Sequence, residues 1–451
     1  MAAERPEPDP PSFVVLAEEY DEPFRAASGG PDPARRAVSG RLTGLADHRW
    51  ARGAAAALVS VLAGGFVLMA VTSERRSARK AGPAAQATAP VMAFEQPWIR
   101  ESGACGSQRY LPKVTAAPLR ARTGVRVQVG GQSVHTADLD ARSLTAAPGL
   151  ALSSQQFVSQ LVPGKDASYA LVQTCESTDT SSVLRVSRDS SYLVLESGRH
   201  IDSLFADGHG GVWAAEVDAI ATDKPITLVQ LPGPGVVRLP TGLTPIAVWG
   251  TKLIGLTSAV TERSSPSSGT LVSYDLASRR IGPRIGQASS LTVTDGLLLW
   301  IDEPCSATAA CSLHRYDLAT GASAVRDYVL PVETTIVDGV ISPDRTQLAF
   351  PLPQIYEGQR TDTEGFGPPL NVAVLHLDTG VLERIGGLTL PPTEEPGLTF
   401  SARGNWLVMA LNQGRRTELL VWQTGQPRPL RPELRVEDLM LQMPPVLALV
   451  P

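Results

Sequence analysis

The sequence predicts an all-β fold, a β-propeller of about seven blades (six or eight also fit), preceded by one transmembrane helix and a disordered N-terminal tail. Three observations predict it. From about Trp98 onward, short runs of Val, Leu, Ile and Thr alternate with Gly, Pro, Ser and Asp turns, and no long stretch of 3.6 period appears. The stretches LVSYDLASRR (271–280), LHRYDLATGA (313–322), VAVLHLDTGV (372–381) and LLVWQTGQPR (420–429) each run a strand into a turn. Aligning these turns at Arg279, Gly321, Gly380 and Gly425 gives spacings of 42, 59 and 45 residues. Removing the polar insertion Pro353–Pro369, about 17 residues, returns the long spacing to the period of a four-stranded propeller blade. Finally, Gly53–Ser73 is an uncharged run of 21 residues, long enough to cross a bilayer.

The chain has 451 residues, 43% hydrophobic and 19% charged, with a formal net charge of -5, so no basic surplus points to nucleic acid. Residues 1–51 form the expected disordered tail, acidic up to Phe24 and Arg-rich from Arg25 to Arg52. The tail has no Cys, so it lacks the zinc motif of one class of anti-sigma factors, and it is too short for a kinase or cyclase domain. Residues 52–74 hold the transmembrane helix. Within it Ala56, Ser60 and Gly64 form a small-xxx-small stripe that suits a homodimer, although Ala and Gly are frequent here anyway. Basic residues flank both ends of the helix, so the positive-inside count is nearly tied. Cysteine placement decides the orientation: Cys105, Cys175, Cys305 and Cys311 all follow the helix. The N-terminus is therefore expected in the cytoplasm and the larger part outside. Residues 75–97 read as an Ala/Pro-rich linker, and 98–451 as the extracytoplasmic propeller.

Counting on the repeat gives units at 153–198, 199–243, 244–287, 288–332, 333–394 and 395–432, with a partial unit at 110–150. The closing LQMPPVLALVP is expected to supply the missing strand of that unit and so close the ring. ISPDRTQLAFPL (341–352) and FSARGNWLVMAL (400–411) are each a turn followed by an apolar strand. They resemble the SPDG-x-x-[LI]-A-[FW] strand of TolB-type and other WD40-like propellers, with Arg345 where the family turn usually has Gly. A type I turn accepts Arg there. ADGHGGVWAA (206–215) is similar to the D-x-x-G-x-[LV]-W signature of propeller repeats in bacterial sensor ectodomains, carried by Asp207, Gly210 and Trp213. The resemblance implies the repeat architecture and no particular activity.

Cys305 and Cys311 bracket SATAA within one unit, so a disulfide is expected to close that hairpin loop, and Cys105 and Cys175 pair by elimination. The chain-entropy model gives roughly 2 kcal/mol for the short loop and over about 4 for the long one. Zinc is the rival reading, against which stands the lack of any C-x-x-C spacing. His209, with Asp207 and Trp213, marks a candidate turn site, the alternative being a plain turn. Asp138/Asp140 and Asp302/Glu303 are acid pairs that suit Ca²⁺ or are simply solvated turn acids. The insertion, with Tyr356, Arg360, Asp362, Glu364 and Phe366, is the candidate binding loop. No catalytic motif and no cofactor or metal signature is found. The sequence thus points to a membrane-anchored binding, scaffolding or sensing module of the bacterial cell envelope, held to the lipid bilayer, with a protein or envelope ligand as partner. The alternative is an extracytoplasmic hydrolase or lyase that uses the propeller's central cavity on a cell-wall polymer.

Overall fold

The computed structural model describes residues 100–102 and 108–450, apart from 154, 176–180, 219–224, 258–267, 295, 306–309, 332–333, 354–368, 392–395, 414–415 and 438–444. The chain divides into two units, Met1–Phe94 and Glu95–Pro451, and all described residues belong to the second. The tail, the transmembrane helix with Ala56, Ser60 and Gly64, and the linker lie outside the described residues.

Every regular element among the described residues is a strand. All but the small pairs Arg100–Ser102/Gln108–Tyr110 and Lys113–Val114/Leu388–Thr389, and the added strand Ala117–Pro118, form seven blades, lettered a to d from the axis outward. Blades 2 to 5 begin at Gln156, His200, Leu243 and Ser290 and end at Ser197, Arg238, Ala288 and Tyr328, each with four antiparallel strands in chain order. Blade 6 runs from Val340 to Arg384 and blade 7 from Gly397 to Arg431. Blade 1 takes Arg126–Gly130, Val134–Asp138 and Ser143–Ala146 from the start of the domain and Val446–Leu449 from its end, the latter pairing with Arg126–Gly130 as strand a. The ring is therefore closed by the C-terminal segment, as the sequence leads one to expect.

The core is a set of wedges between blades. Among the described residues the buried apolar side chains fall into seven clusters, and each joins two neighbouring blades. Trp213, Leu228 and Val237 of blade 3 pack on Leu243, Leu253 and Tyr274 of blade 4, for example. Val127 and Val129 of blade 1 pack on Val408, Leu419 and Val421 of blade 7 across the closing seam. This explains the strand patterns: strand b is apolar on both faces because it is covered on both sides, so LLLWI (Leu297–Ile301) is buried at every position.

The turns that carried the repeat are equivalent in conformation as well as in sequence. Arg279, Gly321, Gly380 and Gly425 all have positive φ, at 58°, 74°, 78° and 81°. In two of these turns an Asp accepts from the backbone and hydroxyl of a residue three positions on, Asp275 from Ser278 and Asp317 from Thr320.

The turn at Arg345 shows what the departure from Gly does. The Arg345 N–H donates to the Ser342 carbonyl at 2.7 Å, as Gly404 does to Ser401 in the matching turn of blade 7. Both residues are left-handed, with φ of 60° and 74°. Accepting Arg here therefore costs on the order of 1 kcal/mol in the backbone. The side chain offers compensation: its guanidinium pairs with Asp317 of blade 5 and clasps two blades. The Thr320 N–H, and then Arg345, hold the Asp317 carboxyl at about 2. Asp317 thus contributes stability that is complete above about pH 4 and lost as pH falls toward 2. In Arg345→Gly the relaxed backbone offsets the lost pair at neutral pH, and the stability lost between about pH 4 and 2 shrinks, read from urea midpoints.

Candidate functional site

In an antiparallel blade the a–b and c–d turns lie at one end and the b–c and d–a connections at the other, so the ring has two faces of different character. In blades 2 to 7 the a–b turns span 2 to 6 residues. The b–c intervals of blades 2 to 6 span 6, 9, 11, 9 and 16 residues. The last of these is the insertion with Tyr356, Arg360, Asp362, Glu364 and Phe366. Its side chains lie outside the described residues, but its two ends, Pro353 and Leu370, belong to this face.

The disulfide Cys305–Cys311, with a Cα separation of 5.2 Å, closes the b–c interval of blade 5. Cys175, which directly follows strand b of blade 2, is also disulfide-bonded. Cys105, its expected partner, lies outside the described residues. Beside the blade 5 bond, His314 Nε2 lies 3.1 Å from Asp302 Oδ2, and the imidazole stacks on Trp300 with ring centroids 4.8 Å apart. Asp302 is thus engaged with a histidine, and Glu303 donates its own N–H to it at 3.0 Å. The other acid pair is also used internally. Asp138 accepts from Ala141 N–H, and Asp140 from Thr123 and Gly124, whose N–H groups help hold the Asp140 carboxyl below its usual range. Among the described residues no group of three or more His, Cys, Asp or Glu is placed to hold a metal ion.

One cleft opens on this same face and a second on the outer edge of blade 7. The first, of about 330 Å³, is lined by Arg199, Asp218, Pro225, Thr227, Val236 and Arg238 at the edge of blade 3. The other, of about 670 Å³, lies where strand d of blade 7 breaks. Leu430–Arg431 pairs with Val421, and after an outward bulge at Pro432–Leu434 the chain continues in the same direction, Arg435–Glu437 pairing with Arg416–Glu418. Across the mouth of this second cleft Arg431 pairs with Glu418, and Glu433 with Arg142 of blade 1.

Asp338, on the inner rim of blade 6, is the residue the sequence reading missed. It is accessible to water yet hemmed in by protein, its backbone is left-handed at φ 58°, and burial pushes its carboxyl up. The next residue, Gly339, takes the Thr292 hydroxyl on its carbonyl at 2.5 Å and so ties this rim to blade 5. The Asp-Gly pair was a visible turn signal, but nothing in the sequence placed it at the axis. Replacing Asp338 by Gly removes both the left-handed strain and a carboxylate that its surroundings partly desolvate. The expected result is a gain of about 1 kcal/mol in stability at pH 7, measured by urea unfolding.

The candidate turn site lies on the opposite face. Asp207 Oδ1 accepts the N–H groups of His209 and Gly211, each at 2.8 Å, and so closes the a–b turn of blade 3. His209 is exposed beside Trp249, with ring centroids 5.8 Å apart. Trp213 points away into the wedge between blades 3 and 4. The structure does not bring the three together around a common space.

No model of a known protein family matches the chain, and no curated protein matches it. Several solved structures do. TolB from Acinetobacter baumannii is 15% identical over 70% of this chain and 78% of its own, with a TM-score of 0.39. A putative 6-phosphogluconolactonase from Bacteroides uniformis is 13% identical over 73% of this chain and all of its own, at 0.46. Apo AztD from Citrobacter koseri is 10% identical over 72% and 97%, at 0.43. At such identities the likeness concerns the fold alone.

Proposed function

We propose that the protein is a membrane-anchored, non-catalytic binding module of the cell envelope, whose propeller takes a protein or envelope ligand on its b–c face. One observation carries the reading. The long b–c intervals of blades 2 to 6, a disulfide that closes one of them, the cleft at blade 3 and Asp338 gather on one face, while the a–b turns of the other span 2 to 6 residues. Binding residues concentrate on connections held by a rigid scaffold. The anchor rests on the uncharged run Gly53–Ser73, and the outward placement rests on the cysteines.

The test is a crosslinking pull-down of the full-length chain against chains lacking 354–369 or 1–50. The reading expects loss of outer partners in the first deletion and their retention in the second. Identical partner sets in all three would end it. A second reading, a hydrolase or lyase working at the central cavity, is favoured by Asp338 alone, since a raised carboxyl is a usable general acid. It requires that Asp338→Asn abolish turnover of a cell-wall polymer.

A further inference from the structure

Seven outer strands form the rim of the ring, and most of them are guarded against pairing with another chain. Those of blades 3 and 6 are three residues long and that of blade 1 is four, too short to template a partner. The outer strand of blade 4 carries Pro283, Arg280 and Arg284, and that of blade 5 carries Arg326 and Asp327. In blade 7 the edge is already taken by the chain's own Ala117–Pro118, which pairs with it in parallel. The outer strand of blade 2, SYLVLES at Ser191–Ser197, differs. It has seven residues, no proline and a single charge, Glu196, and it leaves Tyr192 50% and Leu193 48% exposed. Its one guard is a bulge at Val194, which twists an edge without pairing it.

We infer that this edge pairs antiparallel with the same edge of a second copy of the chain, joining two blades into one eight-stranded sheet. The strand is centred on Val194. Self-pairing over its full length therefore sets Leu193 against Leu195 and Tyr192 against Glu196, twice, about a two-fold axis. The charges agree with this register. Within the blade Arg185 stands opposite Tyr192, and its guanidinium lies 5.7 Å from the ring centroid. Pairing brings Glu196 of the second copy into that same cross-strand row, so an arginine, a tyrosine and a glutamate follow one another across the seam. No like charges oppose.

The experiment uses the full-length protein in detergent. Among the described residues no cysteine is free, so an engineered thiol at 193 is compared with the unsubstituted chain as background. Leu193→Cys puts two thiols on diagonal positions of the paired edges, about 7–8 Å apart and within reach of a short bis-maleimide. Val325→Cys, on the rim of blade 5, is the control. A crosslinked dimer from position 193 alone is expected. Arg185→Glu should raise the dimer dissociation constant about tenfold with an unchanged melting temperature, and adding Glu196→Arg should restore it. No crosslink at 193, equal crosslinking at 325, or a dimer indifferent to Arg185→Glu would overturn the inference. So would a dimer that crosslinks only through Ser60→Cys, since it belongs to the helix stripe.

Discussion

A chain that stops at Pro445 should not form a stable propeller. Val446–Leu449 is the innermost strand of blade 1, and its side chains serve two seams. Ala448 and Val446 pack in the wedge between blades 1 and 2, while Leu447 and Leu449 pack against the wedge between blades 7 and 1. Removing four such side chains forfeits on the order of 5 kcal/mol of apolar burial, before any backbone pairing is counted. It also leaves the edge of Arg126–Gly130 open. A total stability of roughly 5–15 kcal/mol cannot absorb that loss. The truncated chain should lose its cooperative thermal transition by circular dichroism and be cleaved rapidly by protease. Adding the missing segment back as a free peptide should restore part of the transition, because the rest of the blade is already a template.

Trp422→Ala should cost about 3–5 kcal/mol. Trp422 ends strand c of blade 7 and is 1% exposed. It lies in the wedge between blades 6 and 7 with Phe400, Leu407, Met409 and Leu420. Its indole N–H donates to the Gln426 carbonyl at 2.9 Å, so the substitution also frees the turn that follows. Urea unfolding should show the loss as a lower midpoint with an unchanged slope. Trp422→Phe, which keeps most of the volume, should recover more than half of it.

Much of the ring was legible because each blade repeats the same local solution. The unit boundaries expected at 199–243 and 288–332 enclose the strands from His200 to Arg238 and from Ser290 to Tyr328. Closure was legible because the last apolar segment had no partner within its own unit. What stayed hidden is non-local. The entry segment straps the outside of the ring: Lys113–Val114 pairs with Leu388–Thr389, and Ala117–Pro118 with blade 7. Pieces two residues long have no period to read. The left-handed backbone of Arg345 was hidden for another reason, since the compensating Asp317 lies 28 residues upstream. Asp338 was invisible as a site because its environment is made by the ring and not by its neighbours in sequence.

The most direct test of the binding face is site-specific photocrosslinking in cells. A photoreactive amino acid is placed at Arg238, Gln413 or Asp338 on the b–c face, or at His209, Lys165 or Gln426 on the opposite one. The account predicts adducts with partner from the first three positions and none from the others. Adducts confined to the a–b face, or spread equally over both, would contradict it.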